Sequence, residues 1–104
     1  MKILAVTSCP SGVAHTYMAA AAIKKAALAK GHEIKVETQG SIGIENEITM
    51  EDVKDADIII LTKDVSLSNT ERFTGKPIVK VPITDVVKKS DKIIIKIEEA
   101  FKNR

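Results

Sequence analysis

The sequence has one cysteine, no tryptophan, one tyrosine and two phenylalanines. A single cysteine excludes an internal disulfide and any zinc site built from paired cysteines. So few aromatic rings leave no stacking platform for nucleic acid, and a net charge of +2 without a block of like charge leaves no basic surface for it. No apolar run approaches the roughly 20 residues of a membrane span, and the first residues lack the pattern of a secretory leader. We therefore expect a soluble, cytoplasmic protein that is not inserted in a membrane.

The length and hydrophobicity of the chain set the size of its core. At 104 residues and 44% hydrophobic content, it is long enough for one domain and too short for two. We predict a single domain over residues 1–104, with a core of Ile, Val, Leu and Ala. Met1 and Arg104 lie beside the first predicted strand and the last predicted helix, as expected of a freestanding subunit.

Four strand-like segments alternate with helical patterns, which predicts an α/β fold with a parallel sheet. Residues 3–6 and 58–61 are unbroken apolar runs, typical of central strands, whereas residues 32–37 and 78–81 mix in polar residues as edge strands do. The prediction is a four-stranded parallel sheet in the order 2-1-3-4, flanked by helices. This arrangement is half of a flavodoxin-like sheet and belongs to the Rossmann-like type. Such sheets bind ligands at the carboxyl ends of their strands, here beside strand one.

The first helix is predicted over residues 17–30, with Gly31 as its C-terminal cap. Tyr17 and Met18 point away from its sheet-facing stripe, either as surface residues or as part of a docking surface. The stripe itself consists of Thr16, Ala19, Ala20, Ile23, Ala26 and Ala27.

The second half of the chain contains shorter predicted elements. Thr49 and Asp52 resemble a capping box for a helix over Met50–Asp55, and residues 39–48 before it are predicted to be irregular. Residues 68–72 are a candidate short helix, and residues 85–88 a candidate turn. Ser90 is predicted to cap a last helix. The apolar face of that helix contains Ile93, Ile94, Ile97, Ala100 and Phe101.

Cys9 lies between the first strand and the first helix, at the predicted N-terminus of that helix. Unpaired N–H groups and the positive end of the helix dipole converge there and favour an anion, either a thiolate or a phosphate. Cysteine thiols at such positions can have pKa values below the free value of about 8.5, and the thiolate is the nucleophile. A lone cysteine is more often a small buried apolar residue, but this position favours covalent chemistry.

The residues after Cys9 predict a loop that binds an anion. Its spacing resembles the phosphate loop of cysteine phosphatases, in which an arginine follows the cysteine after five residues and the hydroxyl of the next residue hydrogen-bonds the thiolate. Thr16 occupies the hydroxyl position here, and His15 stands where the arginine would be. The predicted phosphate-binding residues are Ser11, Gly12, Val13, Ala14, His15 and Thr16.

A wider resemblance is to the fructose-type enzyme IIB domain of bacterial sugar phosphotransferase systems. Its most specific block is Cys9-Pro10-Ser11-Gly12-Val13-Ala14-His15-Thr16-Tyr17-Met18-Ala19-Ala20, and further blocks at residues 36–43, 56–57 and 72–77 extend it over nearly the whole chain. The resemblance implies that Cys9 is a transient phosphocysteine without a cofactor. It also implies a phosphorylated IIA protein as donor and a fructose-like sugar in a membrane IIC permease as acceptor, and a possible partner contact at residues 38–43.

Two other functions fit parts of the pattern. A small cysteine phosphatase or arsenate reductase would use Asp64, the best-placed carboxylate, as its acid. The absence of an arginine at position 15 and of any Asp-Pro pair favours a carrier over a hydrolase. A flavin mononucleotide-binding module would hold the phosphate in the loop with a structural Cys9, but few aromatics are present to stack on the flavin.

The two histidines, His15 and His32, lack the spacing of metal ligands, so we predict no metal site. His32 follows the end of the first helix and begins an edge strand, and we expect it to be solvated. His15 is either a plain helix-start residue or a partner for the phosphoryl charge, because a histidine in the first turn is disfavoured by the helix dipole.

Overall fold

Nine elements make up the computed structural model, which describes residues 1–10, 13–40 and 43–102. In chain order they are β1 (Lys2–Thr7), α1 (Val13–Ala29), β2 (Glu33–Gly40), β3 (Gly43–Glu45), α2 (Met50–Asp55), β4 (Ile58–Thr62), a 3-10 helix (Thr70–Phe73), β5 (Ile78–Val81) and α3 (Ile83–Lys102). The α/β class is confirmed. The bounds of α2 and β5 agree with their predictions, and α2 begins with the predicted capping box between Thr49 and Asp52.

The strands form one sheet in the order β3-β2-β1-β4-β5. β2, β1, β4 and β5 are parallel and reproduce the predicted order of four strands. β3 is antiparallel to β2, so the prediction of a four-stranded, all-parallel sheet with β2 at its edge is wrong. The extra strand lies within residues 39–48, which we expected to be irregular. Three residues are too few to show the alternation by which a strand is predicted.

Both faces of the two central strands are buried. Alternate residues of β1 and β4 pack against α1 and α3 on one face of the sheet. The residues between them pack against α2 and the 3-10 helix on the other face. The first set contains Ile3, Ala5, Ile58 and Ile60, and the second contains Leu4, Val6, Ile59 and Leu61. The unbroken apolar runs of these strands follow from this double burial.

The first helix begins at Val13, ahead of the helical stretch of residues 17–30, and His15 lies in its first turn as expected. Gly31 ends it with a φ of +79°, a left-handed conformation that glycine adopts without steric cost. The predicted stripe faces the sheet. Thr16, Ala19, Ile23, Ala26 and Ala27 are buried, and Ala20 is partly buried.

The last helix differs from its prediction at its start. Residues 85–88 are helical rather than a turn, and α3 continues through a kink at Lys89, where φ is −133° and ψ is 31°. The first N–H of α3, that of Ile83, donates to Oδ1 of Asp64, a residue distant in sequence, at 2.7 Å. Ser90 caps no helix here, since its hydroxyl donates to the carbonyl of Val86 one turn back.

His32 is half-buried, so the expectation of a solvated ring is wrong. The amino group of Met1 lies 3.1 Å from its Nδ1, and its Nε2 lies 2.7 Å from a carboxylate oxygen of Glu98 in α3. The ring therefore joins the start of β1 to the last helix. Glu98 is 66 residues away in sequence, and local pattern cannot reveal such a partner.

Candidate functional site

Cys9 lies just beyond the carboxyl end of β1, the middle strand of the sheet. The helix α1 begins shortly after it, at Val13, so the chain passes from the central strand to a helix N-terminus around this side chain. The thiol is partly buried and packs against the apolar layer beneath α1 and α3. The predicted placement of Cys9 at a strand-to-helix turn is confirmed.

Cys9 and His15 are brought together by this turn. The distance from Sγ of Cys9 to Nδ1 of His15 is 3.7 Å, and His15 is exposed in the first turn of α1. A protonated Nδ1 at this place donates toward the sulfur, and an imidazolium attracts the charge of a phosphoryl group. The pair thus places a thiol beside an imidazole that can offset negative charge when it is protonated.

The other predicted loop residues divide into three groups. Ser11 and Gly12 lie outside the described residues. Val13 begins α1, and Ala14 is exposed in its first turn. Thr16 is buried, and its carbonyl accepts the hydroxyl of Thr7 at 3.1 Å. The bond from the Thr16 hydroxyl to the Cys9 thiolate stays a prediction.

Two threonines at strand ends hold the turn from opposite sides. Thr7 ends β1 and fastens it to the first turn of α1. Thr62 ends β4, and its Oγ1 accepts the N–H of Ser8 at 3.0 Å. The same Oγ1 lies 3.3 Å from the carbonyl oxygen of Ser8. Sequence reasoning missed both threonines. The available signal was the hydroxyl residue that closes each of the two central apolar strands.

A buried carboxylate lies on β2, on the face covered by α2. Glu37 accepts two bonds from the guanidinium of Arg72, at 2.8 and 2.6 Å. It also accepts the amide of Gln39 and the N–H of Ile48, each at 2.8 Å. Burial alone would raise the pKa of Glu37, but the bonds from Arg72, Gln39 and Ile48 together outweigh it and hold that pKa below its usual range. Glu37 is therefore ionised and paired at neutral pH.

Gln39 extends this network to the loop that follows β4. Its Oε1 accepts the N–H of Ser68 at 2.9 Å, and its Nε2 donates to the carbonyl of Ser68 at 3.1 Å. β1 lies between β2 and β4. The two bonds between Gln39 and Ser68 therefore join β2 to the loop after β4, on either side of the strand that leads to Cys9. Glu37 and Arg72 are 35 residues apart, which is why sequence reasoning did not pair them.

Tyr17 connects the first turn of α1 to the hairpin strand β3. Its hydroxyl donates to a carboxylate oxygen of Glu45. This bond, with smaller effects of desolvation and of the carboxylate charge, raises the pKa of Tyr17 above its usual value. Tyr17 and Met18 are both exposed beside the site, in agreement with their predicted orientation.

Asp64, the carboxylate considered as an alternative acid, is exposed and caps α3 through the N–H of Ile83. Within residues 1–10, 13–40 and 43–102, no group of three or more His, Cys, Asp or Glu side chains is arranged to hold a metal ion. Over the same ranges, every helix is too short or too polar to cross a membrane.

Known proteins resemble this chain over most of its length. The family model for the lactose/cellobiose specific IIB subunit of the PTS system matches residues 4–96. The PTS system fructose-like EIIB component 2 of Escherichia coli K12 is 66% identical over 97 residues, which are 93% of this chain and 92% of that protein. The fructose-specific EIIABC component of Bacillus subtilis is 47% identical over 95 residues, which are 91% of this chain and 15% of that protein. The solution structure of an Enzyme IIB subunit from Escherichia coli K12 superimposes with a TM-score of 0.92 at 40% identity, covering 98% of this chain and 94% of that one.

Proposed function

This chain belongs to the IIB subunit family of the phosphotransferase system, and on that premise we propose that residues 1–104 act as one cytoplasmic phosphocarrier domain with Cys9 as the phosphoryl acceptor. The observation that carries the proposal is the position of the thiol. Cys9 lies at the carboxyl end of the central strand, beside the N-terminus of α1 and 3.7 Å from Nδ1 of His15. Open α/β sheets bind ligands at this edge.

The first step is transfer from a phosphohistidine on a IIA protein. The thiolate of Cys9 attacks phosphorus, and the P–N bond breaks as the S–P bond forms. The donor's imidazole, which carries a proton on its second ring nitrogen, leaves as a neutral group. The backbone N–H groups of residues 11–16 hold the phosphoryl oxygens and offset the charge that develops on them. His15 adds a positive charge at the rim when it is protonated.

The second step passes the phosphoryl group to a sugar bound in a membrane IIC permease. A sugar hydroxyl attacks phosphorus, its proton is lost to a base of the permease, and the S–P bond breaks. The thiolate leaves without needing a proton, so the carrier needs no acid of its own. The name of the EIIABC relative, which joins A, B and C in one component, supports this pair of partners.

A fructose-like sugar is the acceptor that the names of the relatives support. The matching family is named for two other sugars, lactose and cellobiose. We attribute the choice of sugar to the permease, because the IIB domain contributes the phosphoryl group and not the sugar pocket.

A cysteine phosphatase is the alternative that shares the loop. It would need a carboxylic acid near the leaving group and later a base for water, which are typically worth about 10²–10⁴-fold in rate. The one candidate, Asp64, already accepts the N–H of Ile83 at 2.7 Å. This engagement supports a carrier, and we expect negligible turnover of p-nitrophenyl phosphate by the wild type.

The test is phosphoryl transfer from a phosphorylated IIA protein, followed by intact mass analysis. The wild type should gain one phosphoryl group, whereas Cys9→Ser should gain none because a protonated hydroxyl is a far weaker nucleophile. His32→Ala is a matched control that keeps the thiol and the loop and should still be labelled. Equal labelling of Cys9→Ser and the wild type would refute the assignment of Cys9. Robust p-nitrophenyl phosphate turnover that disappears in Asp64→Asn would favour a phosphatase.

A further inference from the structure

β5 is the last strand of the sheet in the described part of the chain, and its outer edge carries unpaired backbone groups. The carbonyls of Pro77 and Val81 accept N–H groups of Ile59 and Lys63, at 2.9 and 3.0 Å, and so point toward β4. Backbone groups alternate in direction along a strand. The N–H and C=O of Ile78 and Lys80 therefore point away from the sheet, and both residues are exposed.

Grooves flank this edge on both faces of the sheet. The groove on the α3 side has a volume of about 520 Å³ and an apolar floor that includes Val79, Val81, Ile93 and Ile97. The groove on the opposite face has a volume of about 660 Å³ and is lined in part by Leu61, Leu67 and the side chain of Ile78. An added strand would place alternate side chains into each groove, because successive side chains point to opposite faces.

The rim of the two grooves is basic. Lys89, Lys92 and Lys96 follow one face of α3 at helical spacing beside the first groove. Lys63 lines the second groove, and Lys80 lines both. Besides these five lysines, the two grooves are lined by two acidic residues, Asp85 and Asp64. Asp64 already accepts the N–H of Ile83. The rim therefore complements carboxylates.

We infer that the β5 edge is a strand-addition site for an extended segment of a partner protein in which apolar and acidic residues alternate. Its backbone pairs with Ile78 and Lys80. Because successive side chains point to opposite faces, its apolar side chains enter the groove lined by Leu61 and Leu67, and its carboxylates face α3, where they meet Lys89, Lys92 and Lys96. A second copy of this chain does not suit the edge, because pairing two β5 strands brings like charges together at Lys80. The inference is independent of phosphoryl transfer, and its test needs no phosphoryl donor.

The probe is a heptapeptide in which glutamate and valine alternate, starting and ending with glutamate. In an NMR titration, we expect the amide signals of Ile78 and Lys80 to shift and their hydrogen exchange to slow at least about fivefold at saturation. Two comparison peptides set the specificity. One has the same composition with its three valines contiguous, and the other has lysine in place of glutamate. Both should bind at least about tenfold more weakly, because one loses the alternation and the other reverses the charge.

Lys80→Pro is the decisive variant, because its lost N–H points outward and takes no part in the β4–β5 ladder. It should weaken the peptide at least about tenfold, since an outward hydrogen bond is lost and a ring blocks the edge. Lys80→Ala is its control, which keeps the N–H and should weaken the peptide only about threefold. If Lys80→Pro does not fold, the charge-reversed triple variant Lys89→Glu, Lys92→Glu, Lys96→Glu serves instead. Its matched control reverses Lys24 and Lys25 on α1 and Lys30 directly after it.

The inference is overturned by any of four results. These are an absence of peptide binding, chemical shift changes that map away from β5, equal binding of the contiguous-valine peptide, or an unchanged affinity in both Lys80→Pro and the α3 triple variant. Concentration-dependent self-association through β5 without peptide would assign the edge to a second copy. Binding of anionic lipid vesicles in place of the peptide would assign the lysine rim to a membrane surface.

Discussion

Replacing Arg72 by methionine tests the largest buried electrostatic interaction in the described part of the chain. Glu37 is fully buried, and Arg72 supplies two of its four hydrogen bonds, at 2.8 and 2.6 Å. Methionine keeps a long apolar side chain but removes the guanidinium, whose central carbon lies 4.7 Å from the centroid of the Phe73 ring, and leaves the carboxylate charge without its cation. Breaking a buried pair from one side typically costs about 3–5 kcal/mol. This is a large part of the roughly 5–15 kcal/mol that stabilises a small domain.

The pH dependence separates this electrostatic cost from a packing defect. In the wild type the pKa of Glu37 is lowered by folding, so its stabilisation is complete above the unfolded value of about 4.3 and is lost as pH falls through the folded value. In Arg72→Met, burial without the guanidinium should raise the pKa of Glu37 above that of the unfolded chain. The cost of burying the unpaired Glu37 carboxylate is then present in the variant at pH 7. This cost declines as pH falls below the raised pKa, because Glu37 becomes protonated in the folded variant. The stability difference between the two proteins should therefore shrink from pH 7 to pH 4.

The assay is urea unfolding of both proteins at pH 7 and pH 4, followed by circular dichroism. Lys25→Met, which removes an exposed cation from α1, controls for the change in net charge and should cost less than about 0.5 kcal/mol. Glu37→Gln combined with Arg72→Met should be more stable at pH 7 than Arg72→Met alone, because no charge is left buried. A cost below about 1 kcal/mol at pH 7, or one that does not decline with acid, would refute the reasoning.

Two further predictions concern the contacts around Cys9. Glu45→Gln should lower the pKa of Tyr17 toward its usual value of about 10, because the carboxylate partner is lost. The chain has one tyrosine, so its ultraviolet titration reports on this bond alone, and Glu47→Gln should leave it unchanged. Thr62→Val should destabilise the fold by about 1–3 kcal/mol in thermal unfolding, since the buried N–H of Ser8 loses its acceptor. The exposed Thr84→Val should cost less than about 0.5 kcal/mol, and equal costs for the two threonines would show that the Thr62 bond contributes nothing.

The parts of the fold that were predictable from sequence depend on residues close in the chain. The apolar runs of β1 and β4, the capping box at Thr49, and the left-handed Gly31 are each local signals, and each has its predicted place in the structure. The position of Cys9 was predictable for the same reason, because a strand, a turn and a helix follow one another directly.

The parts that were missed depend on partners far away in sequence. Asp64 caps α3, Glu98 holds His32, and Arg72 pairs with Glu37. Asp64 was considered as an acid, His32 was expected to be solvated, and Glu37 was given no partner, because the residues near each of them in sequence offered none. The hairpin strand β3 was missed for a different reason, since its three residues are held by pairing with β2 rather than by an intrinsic pattern.

Other side-chain contacts hold the strand ends around Cys9, where no arginine stands at position 15 to bind the phosphoryl group. In the proposed carrier, the phosphoryl group must be bound loosely enough to leave, so a bidentate cation in the loop would work against transfer. Rigidity then has to come from the scaffold. Thr7 fastens β1 to α1 and Thr62 fastens β4 to Ser8. Gln39 joins β2 to the loop after β4 at Ser68. Three polar side chains, those of Thr7, Thr62 and Gln39, thus fix the strand ends around Cys9.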